Sequence, residues 1–80
     1  MRTTSSTTAA RVPHIPVTST TIASAGYVPE EQVLELRFKS GENYSYFDVP
    51  APVHAALLAA GSKGRYFNEA IRGRFTYRRA

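Results

Sequence analysis

The chain has no cysteine and no tryptophan among its 80 residues. Without cysteine a disulfide scaffold, a zinc ribbon and a thiol nucleophile are excluded, and the core has to hold together by apolar burial alone. Long apolar runs are also missing. The longest, Ala55 to Ala60, falls well short of the roughly 20 residues a membrane-spanning helix needs, so the sequence predicts a soluble, cytoplasmic protein with no membrane partner. Histidine occurs twice, as His14 and His54. With His14 in an expected tail and no thiol anywhere, no metal cluster and no nucleophile with its base can be assembled, and the sequence predicts neither an enzyme nor a cofactor or metal site. Acids are scarce: six Asp and Glu stand against ten Lys and Arg, giving a net charge of +4 and a pI near 9.9. That excess points to an anionic partner. At 8.8 kDa there is room for one small domain, able to bury roughly sixty per cent of its unfolded surface.

Residues 1–17 are rich in Ser, Thr and Ala, carry Pro13 and Pro16, and read as a flexible tail. Arg2 and Arg11 are its only charges, which loosely resembles an organellar transit peptide, but the two prolines spoil the amphipathic helix that role needs. The foldable part is expected over residues 18–80. A β-prone stretch runs from Thr21 to Tyr27, Val28 to Glu31 read as a turn, and Leu34, Leu36 and Phe38 alternate with Glu35, Arg37 and Lys39. Ser40-Gly41 then offers a hairpin turn into Asn43 to Phe47. Beyond Asp48 the period shifts to a helical one. Val53, Ala56, Leu57 and Ala60 form one stripe, with Pro50 or Pro52 in the first turn and Gly61 as the stop. Ser62 is a natural N-cap for a second helix with Phe67, Ala70 and Ile71 inward and Gly73 supplying a left-handed end. The expected architecture is α+β: a three-stranded antiparallel meander followed by two short helices packed on one face. In the last run, an extended segment would turn Phe75 and Tyr77 inward and Arg74 and Arg78 to solvent.

The charge is concentrated at one end. Residues 61–80 carry a net +5, residues 1–60 a net −1. Lys63, Arg65, Arg72, Arg74, Arg78 and Arg79 are interleaved with Tyr66, Phe67, Phe75 and Tyr77, the combination by which single-stranded nucleic acid is held through phosphate attraction and base stacking. The same residues also suit a solvated helix end over an aromatic core. Gly61 to Arg65 resembles an anion-holding loop but not a P-loop, because Lys63 is followed by Gly64 rather than Ser or Thr. Tyr44 and Tyr46 share one sheet face, which is either a stacking platform or the core, depending on which face the helices cover.

Taken in order, Ser24-Ala25-Gly26-Tyr27, Leu34 to Gly41, Tyr44-Ser45-Tyr46-Phe47-Asp48-Val49-Pro50 and Ser62-Lys63-Gly64-Arg65-Tyr66-Phe67-Asn68 resemble the KTSC domain. That family is named for the C-terminal extension of some lysyl-tRNA synthetases and also occurs as small stand-alone bacterial and phage proteins. The resemblance covers about residues 18–79 and implies a compact domain for which RNA binding has been suggested from its attachment to a synthetase. The sequence therefore predicts a non-catalytic module that binds RNA or another single-stranded nucleic acid through Lys63, Arg65, Tyr66, Arg72, Arg74, Tyr77, Arg78 and Arg79. The alternative is a protein-protein interaction module or a homodimer, built on sheet edges that a short meander leaves unpaired. A sensor of small anions centred on Ser62 to Arg65 is a third reading.

Overall fold

A computed structural model describes residues 13–79. The sheet has five antiparallel strands in sequence order: β1 (Ile15–Pro16), β2 (Ile22–Val28), β3 (Val33–Phe38), β4 (Asn43–Tyr46) and β5 (Tyr77–Arg79). Two helices, α1 (Ala51–Ala59) and α2 (Lys63–Tyr66), lie between β4 and β5, and α2 runs directly into a π-helical turn, Phe67–Ile71. The expected α+β class and the helix pair are present, but the meander of three becomes a sheet of five. β1 is too short to carry a period-two signature, and the alternation of residues 74–79 marked an extended segment but not its pairing with β4, where Tyr77, expected inward, is mostly exposed. β1 is two residues long and includes a proline, while β5 is a three-residue strand whose Arg78 and Arg79 reveal no buried face. β1 falls within residues 1–17; the first twelve residues of that expected tail lie outside the described residues.

Register fixes which side chains meet the helices. Ala25, Leu36, Tyr44 and Arg79 are paired across the sheet in one row, and Tyr27, Leu34, Tyr46 and Tyr77 in the next. Both rows face the helices, because Leu34 and Leu36 are fully buried there beside Ile22, Val49, Leu57 and Ile71. Tyr46 is therefore core, at 4% exposure, and Tyr44 packs half-buried against it. The opposite face carries Ser24, Glu35, Arg37, Asn43, Ser45 and Arg78, a polar surface open to water.

The connections follow local chemistry. Gly41, at φ +100°, closes the β3–β4 hairpin, and its N–H donates to the Phe38 carbonyl at 2.9 Å. Pro52 sits in the first turn of α1, and Leu57 is that helix's one fully buried residue. The helix stops just before Gly61, with Ala60 extended as its C-cap. Ser62 caps α2 as expected, accepting from the Arg65 N–H at 3.3 Å. A Cβ on Gly64 would come within 3.0 Å of the Thr21 hydroxyl, so the start of α2 approaches the entry to β2 closely. Asp48 occupies a turn with φ +58°, and the Val49 N–H behind it donates to the Gln32 carbonyl at 2.8 Å, tying the β4–α1 link to the β2–β3 turn.

Candidate functional site

Among the described residues, clefts open between the helical layer and the sheet margins. The first holds about 430 Å³ and is built where β3 ends. There the Lys39 N–H donates to the Thr21 carbonyl and the Phe38 N–H to the Glu42 carbonyl, both at 2.9 Å, so the hairpin tip is held over the entry to β2. β4 contributes Tyr44 and Tyr46, β5 contributes Tyr77, and the π-helical turn contributes Phe67 with Arg72 just beyond it. The rings touch in series. Phe38 meets Phe67 edge-on at 5.3 Å, Phe67 meets Tyr46 at 5.7 Å, and Tyr46 and Tyr44 lie 5.5 and 5.4 Å from Tyr77. Tyr77, the outermost of them, is 55% exposed. Edge-to-face and offset pairs of this kind are favoured by the ring quadrupole as well as by area.

The cleft mixes cations with these rings. Lys39 and Arg72 line it together with one acid, Glu42, whose carboxylate is engaged at 2.8 Å by Arg79. Arg72 donates weakly to the Asn68 side chain at 3.4 Å, leaving most of its guanidinium donors open. Burial pushes the Tyr46 hydroxyl up to about 12, with the neighbouring Tyr44 and Tyr77 adding to the rise and Arg72 opposing it. The hydroxyl stays protonated at any physiological pH.

A second, polar cleft adjoins the first, since Thr20 and Lys39 line both. Its remaining walls are Val17, Thr18, Ser19, Gly61, Ser62 and Lys63. The third is apolar, lies across the fold beside β1 and α1, and includes Ile15, Tyr27, Ala51, His54 and Ala55. Tyr27 and His54 stack there at 4.6 Å, the Tyr27 hydroxyl donates to the Val49 carbonyl, and desolvation lowers the His54 pKa.

The residues singled out from sequence do not form one track. Arg72 and Tyr77 line the aromatic cleft and Lys63 lines the polar one. Arg79 sits at the rim beside Glu42, Arg65 pairs with Glu69 at 3.1 Å in open solvent, and Tyr66 packs half-buried against the core. Arg74 is exposed beyond the π-helical turn, and Arg78 lies on the opposite sheet face beside Ser45. Lys39, Phe38, Thr20 and Thr21 were missed. The strand alternation placed Lys39 on a wet face, whereas it belongs to the hairpin turn, and no local pattern indicates that this turn meets Arg72.

His14 also departs from expectation. It reaches over the open sheet face, its Nδ1 3.0 Å from the Ser24 hydroxyl and its Nε2 3.0 Å from the Glu35 carboxylate. The order serine, imidazole, carboxylate is that of a hydrolytic triad, but the three residues lie on the open sheet face and line none of the clefts described above. The cluster fastens β1 to the sheet. Among the described residues no group of three His, Asp or Glu has metal-binding geometry, and no helix is long and apolar enough to cross a membrane.

Comparison with known proteins adds a consistent set of relatives. The family model of the KTSC domain matches residues 18–75. A protein of Tsukamurella paurometabola is 50% identical over 60 residues, spanning 75% of this chain and 90% of that one. A lysine–tRNA ligase of Nostoc is 49% identical over 51 residues, which are 64% of this chain and only 9% of the ligase. The crystal structure of a KTSC domain protein from Yersinia pestis superposes with a TM-score of 0.82 at 38% identity, covering 86% of this chain and 97% of that one. None of these relatives indicates a catalytic function for this chain.

Proposed function

The chain belongs to the KTSC domain family, and on that footing we propose that it is a non-catalytic module that binds single-stranded nucleic acid, RNA foremost, in the aromatic cleft. The observation that carries this reading is Tyr77: a ring 55% exposed on top of a continuous aromatic stack, in one cleft with Arg72 and Lys39. A base laid on Tyr77 covers that ring, and the neighbouring cations meet its phosphates; base-aromatic stacking is worth about 1–3 kcal/mol per base. The ligase relatives add circumstantial support, since the same segment is part of proteins whose substrate is a tRNA. The binding unit is narrower than the basic quarter of the sequence, because Arg78 faces away and Arg65 and Arg79 are paired with carboxylates.

Fluorescence anisotropy of a labelled oligouridylate tests this. Tyr77→Ala and Arg72→Ala should each weaken binding at least several-fold, while Arg37→Ala on the opposite face leaves it unchanged. Equal effects from all three, or no binding by the parent chain, would sink the reading.

A second reading rests on the apolar cleft, where Ile15 of the two-residue edge strand β1 is 56% exposed. There the chain would dock a protein partner or a second copy of itself. A concentration-independent dimer in light scattering, abolished by Ile15→Glu, would favour it.

A further inference from the structure

Two of the hydroxyls lining the polar cleft beside the aromatic one, those of Ser19 and Ser62, already accept hydrogen bonds from backbone N–H groups. The Ser19 hydroxyl oxygen receives the N–H groups of Thr21 at 3.1 Å and Ile22 at 3.2 Å. Both lone pairs of that oxygen are engaged, so Ser19 has only its O–H left to offer. The Ser62 hydroxyl accepts from the Arg65 N–H at 3.3 Å and likewise keeps its proton to donate. Lys63 gives one ammonium hydrogen to the Ala60 carbonyl at 2.9 Å and retains two, and Lys39 enters the same cleft from the hairpin turn. No carboxylate lines the cleft. A groove walled by two ammonium groups and by hydroxyls able to donate is matched to an anion with several acceptor oxygens.

Its position narrows the ligand further. Thr20 and Lys39 belong to both clefts, so a chain leaving the aromatic cleft past Lys39 enters the polar one without crossing a ridge of acidic residues. We propose that the groove between Val17–Thr20 and Gly61–Lys63 is a phosphodiester subsite, which takes the backbone of the same strand some nucleotides beyond the base stacked on Tyr77. The inference rests on the single-strand reading given above and extends it: the base is held by the rings and a phosphate farther along the strand by Ser19, Ser62, Lys39 and Lys63. Arg65, two residues past the groove, is engaged with Glu69 and takes no part.

The salt dependence of binding separates the two claims. For single strands the logarithm of the binding constant falls with the logarithm of salt by about 0.7 per phosphate contact. Affinity of the full chain for an eight-nucleotide oligouridylate is measured between 50 and 200 mM salt for the parent, Lys63→Gln, Tyr77→Ala and Arg37→Gln. Arg37→Gln removes one positive charge from the far face and serves as the control for net charge. Lys63→Gln should make the slope shallower by about 0.7 relative to that control with its melting temperature unchanged, whereas Tyr77→Ala should lower affinity at every salt with the slope preserved. In a parallel titration, inorganic phosphate should shift the amide signals of Ser19, Ser62 and Lys63. If Tyr77→Ala weakens binding but Lys63→Gln keeps the control's slope, the subsite is wrong and the stacking reading stands. If the oligouridylate does not bind at all, both fall; phosphate shifts without oligouridylate binding mark a free-anion site and also overturn the subsite.

Discussion

Tyr46 and Tyr77 face one another across the β4–β5 pair with ring centroids 5.5 Å apart, yet one is 4% exposed and the other 55%. The aromatic layer of the core thus continues without a break from the interior to the surface, and Arg72 and Lys39 line the same cleft. A core that ended at Tyr46 would leave no such platform.

Because Tyr77 is mostly in water, its loss should separate binding from folding. Tyr77→Ala is expected to shift the thermal midpoint by only a few degrees while weakening oligouridylate binding by about 1–3 kcal/mol, one base's worth of stacking. Calorimetry beside anisotropy checks it; an unfolded Tyr77→Ala would assign the ring to the core instead.

Tyr46 carries a pH signature. Its hydroxyl stays neutral in the fold up to about 12 but ionises near the ordinary 10 in the unfolded chain, because burial disfavours the anion. Its contribution to stability is therefore complete below pH 10 and drains away as pH rises from 10 to 12. Urea midpoints across that window should fall less for Tyr46→Phe than for the parent. Parallel decline in both would show that the hydroxyl ionises freely in the fold.

His54 works in the opposite direction. Desolvation holds its pKa below the usual 6.5, so the folded state prefers the neutral ring stacked on Tyr27. The associated stability is present above pH 6.5 and is lost as pH falls through the lowered value. NMR should place its titration below 6.5, and His54→Gln should remove that part of the acid sensitivity; a midpoint at or above 6.5 contradicts the assignment.

Much of this fold was legible in the sequence, and the part that was not has a physical reason. The alternation Leu34, Leu36, Phe38 gave the central strand, and Ser62 and Gly73 marked the ends of the second helical segment, because one-sided burial and end caps leave local patterns. β1 left none, and the alternation of residues 74–79 marked an extended run without its pairing onto β4: each edge strand is held by pairing with a neighbour rather than by a buried face of its own. The parity of Tyr44 and Tyr46 could not be decided from β4 alone, since which face is covered depends on where α1 and α2 pack. Of the candidate site, Arg72 and Tyr77 were identified through charge and aromatic interleaving. Lys39 was not, because its meeting with Arg72 is made by the hairpin and the π-helical turn together, far apart in sequence.

The edge strand gives a further check of that tertiary logic. His14→Ala removes the bonds to Ser24 and Glu35 that anchor β1, and should speed exchange of the Val17 N–H, which donates to the Ala23 carbonyl, by about fivefold, the equivalent of about 1 kcal/mol for one hydrogen bond. Exchange in β3 should not change. Protection lost across the whole sheet would mean that β1 is integral to the fold rather than clasped onto it.

Leu57 tests the core itself. It is the only fully buried residue of α1, so Leu57→Ala should cost about 2–5 kcal/mol, enough to leave so small a domain largely unfolded at 37 °C. Chemical denaturation reads it directly, and a loss under 1 kcal/mol would mean that α1 is only loosely docked.

The most direct test of the central claim is an amide NMR titration of the full chain with an eight-nucleotide oligouridylate at low salt. The account predicts shifts concentrated on Phe38 to Tyr46 and on Arg72 to Tyr77, with Arg37 and Arg78 quiet. Shifts centred on the opposite face of the sheet, or none at all, would contradict it.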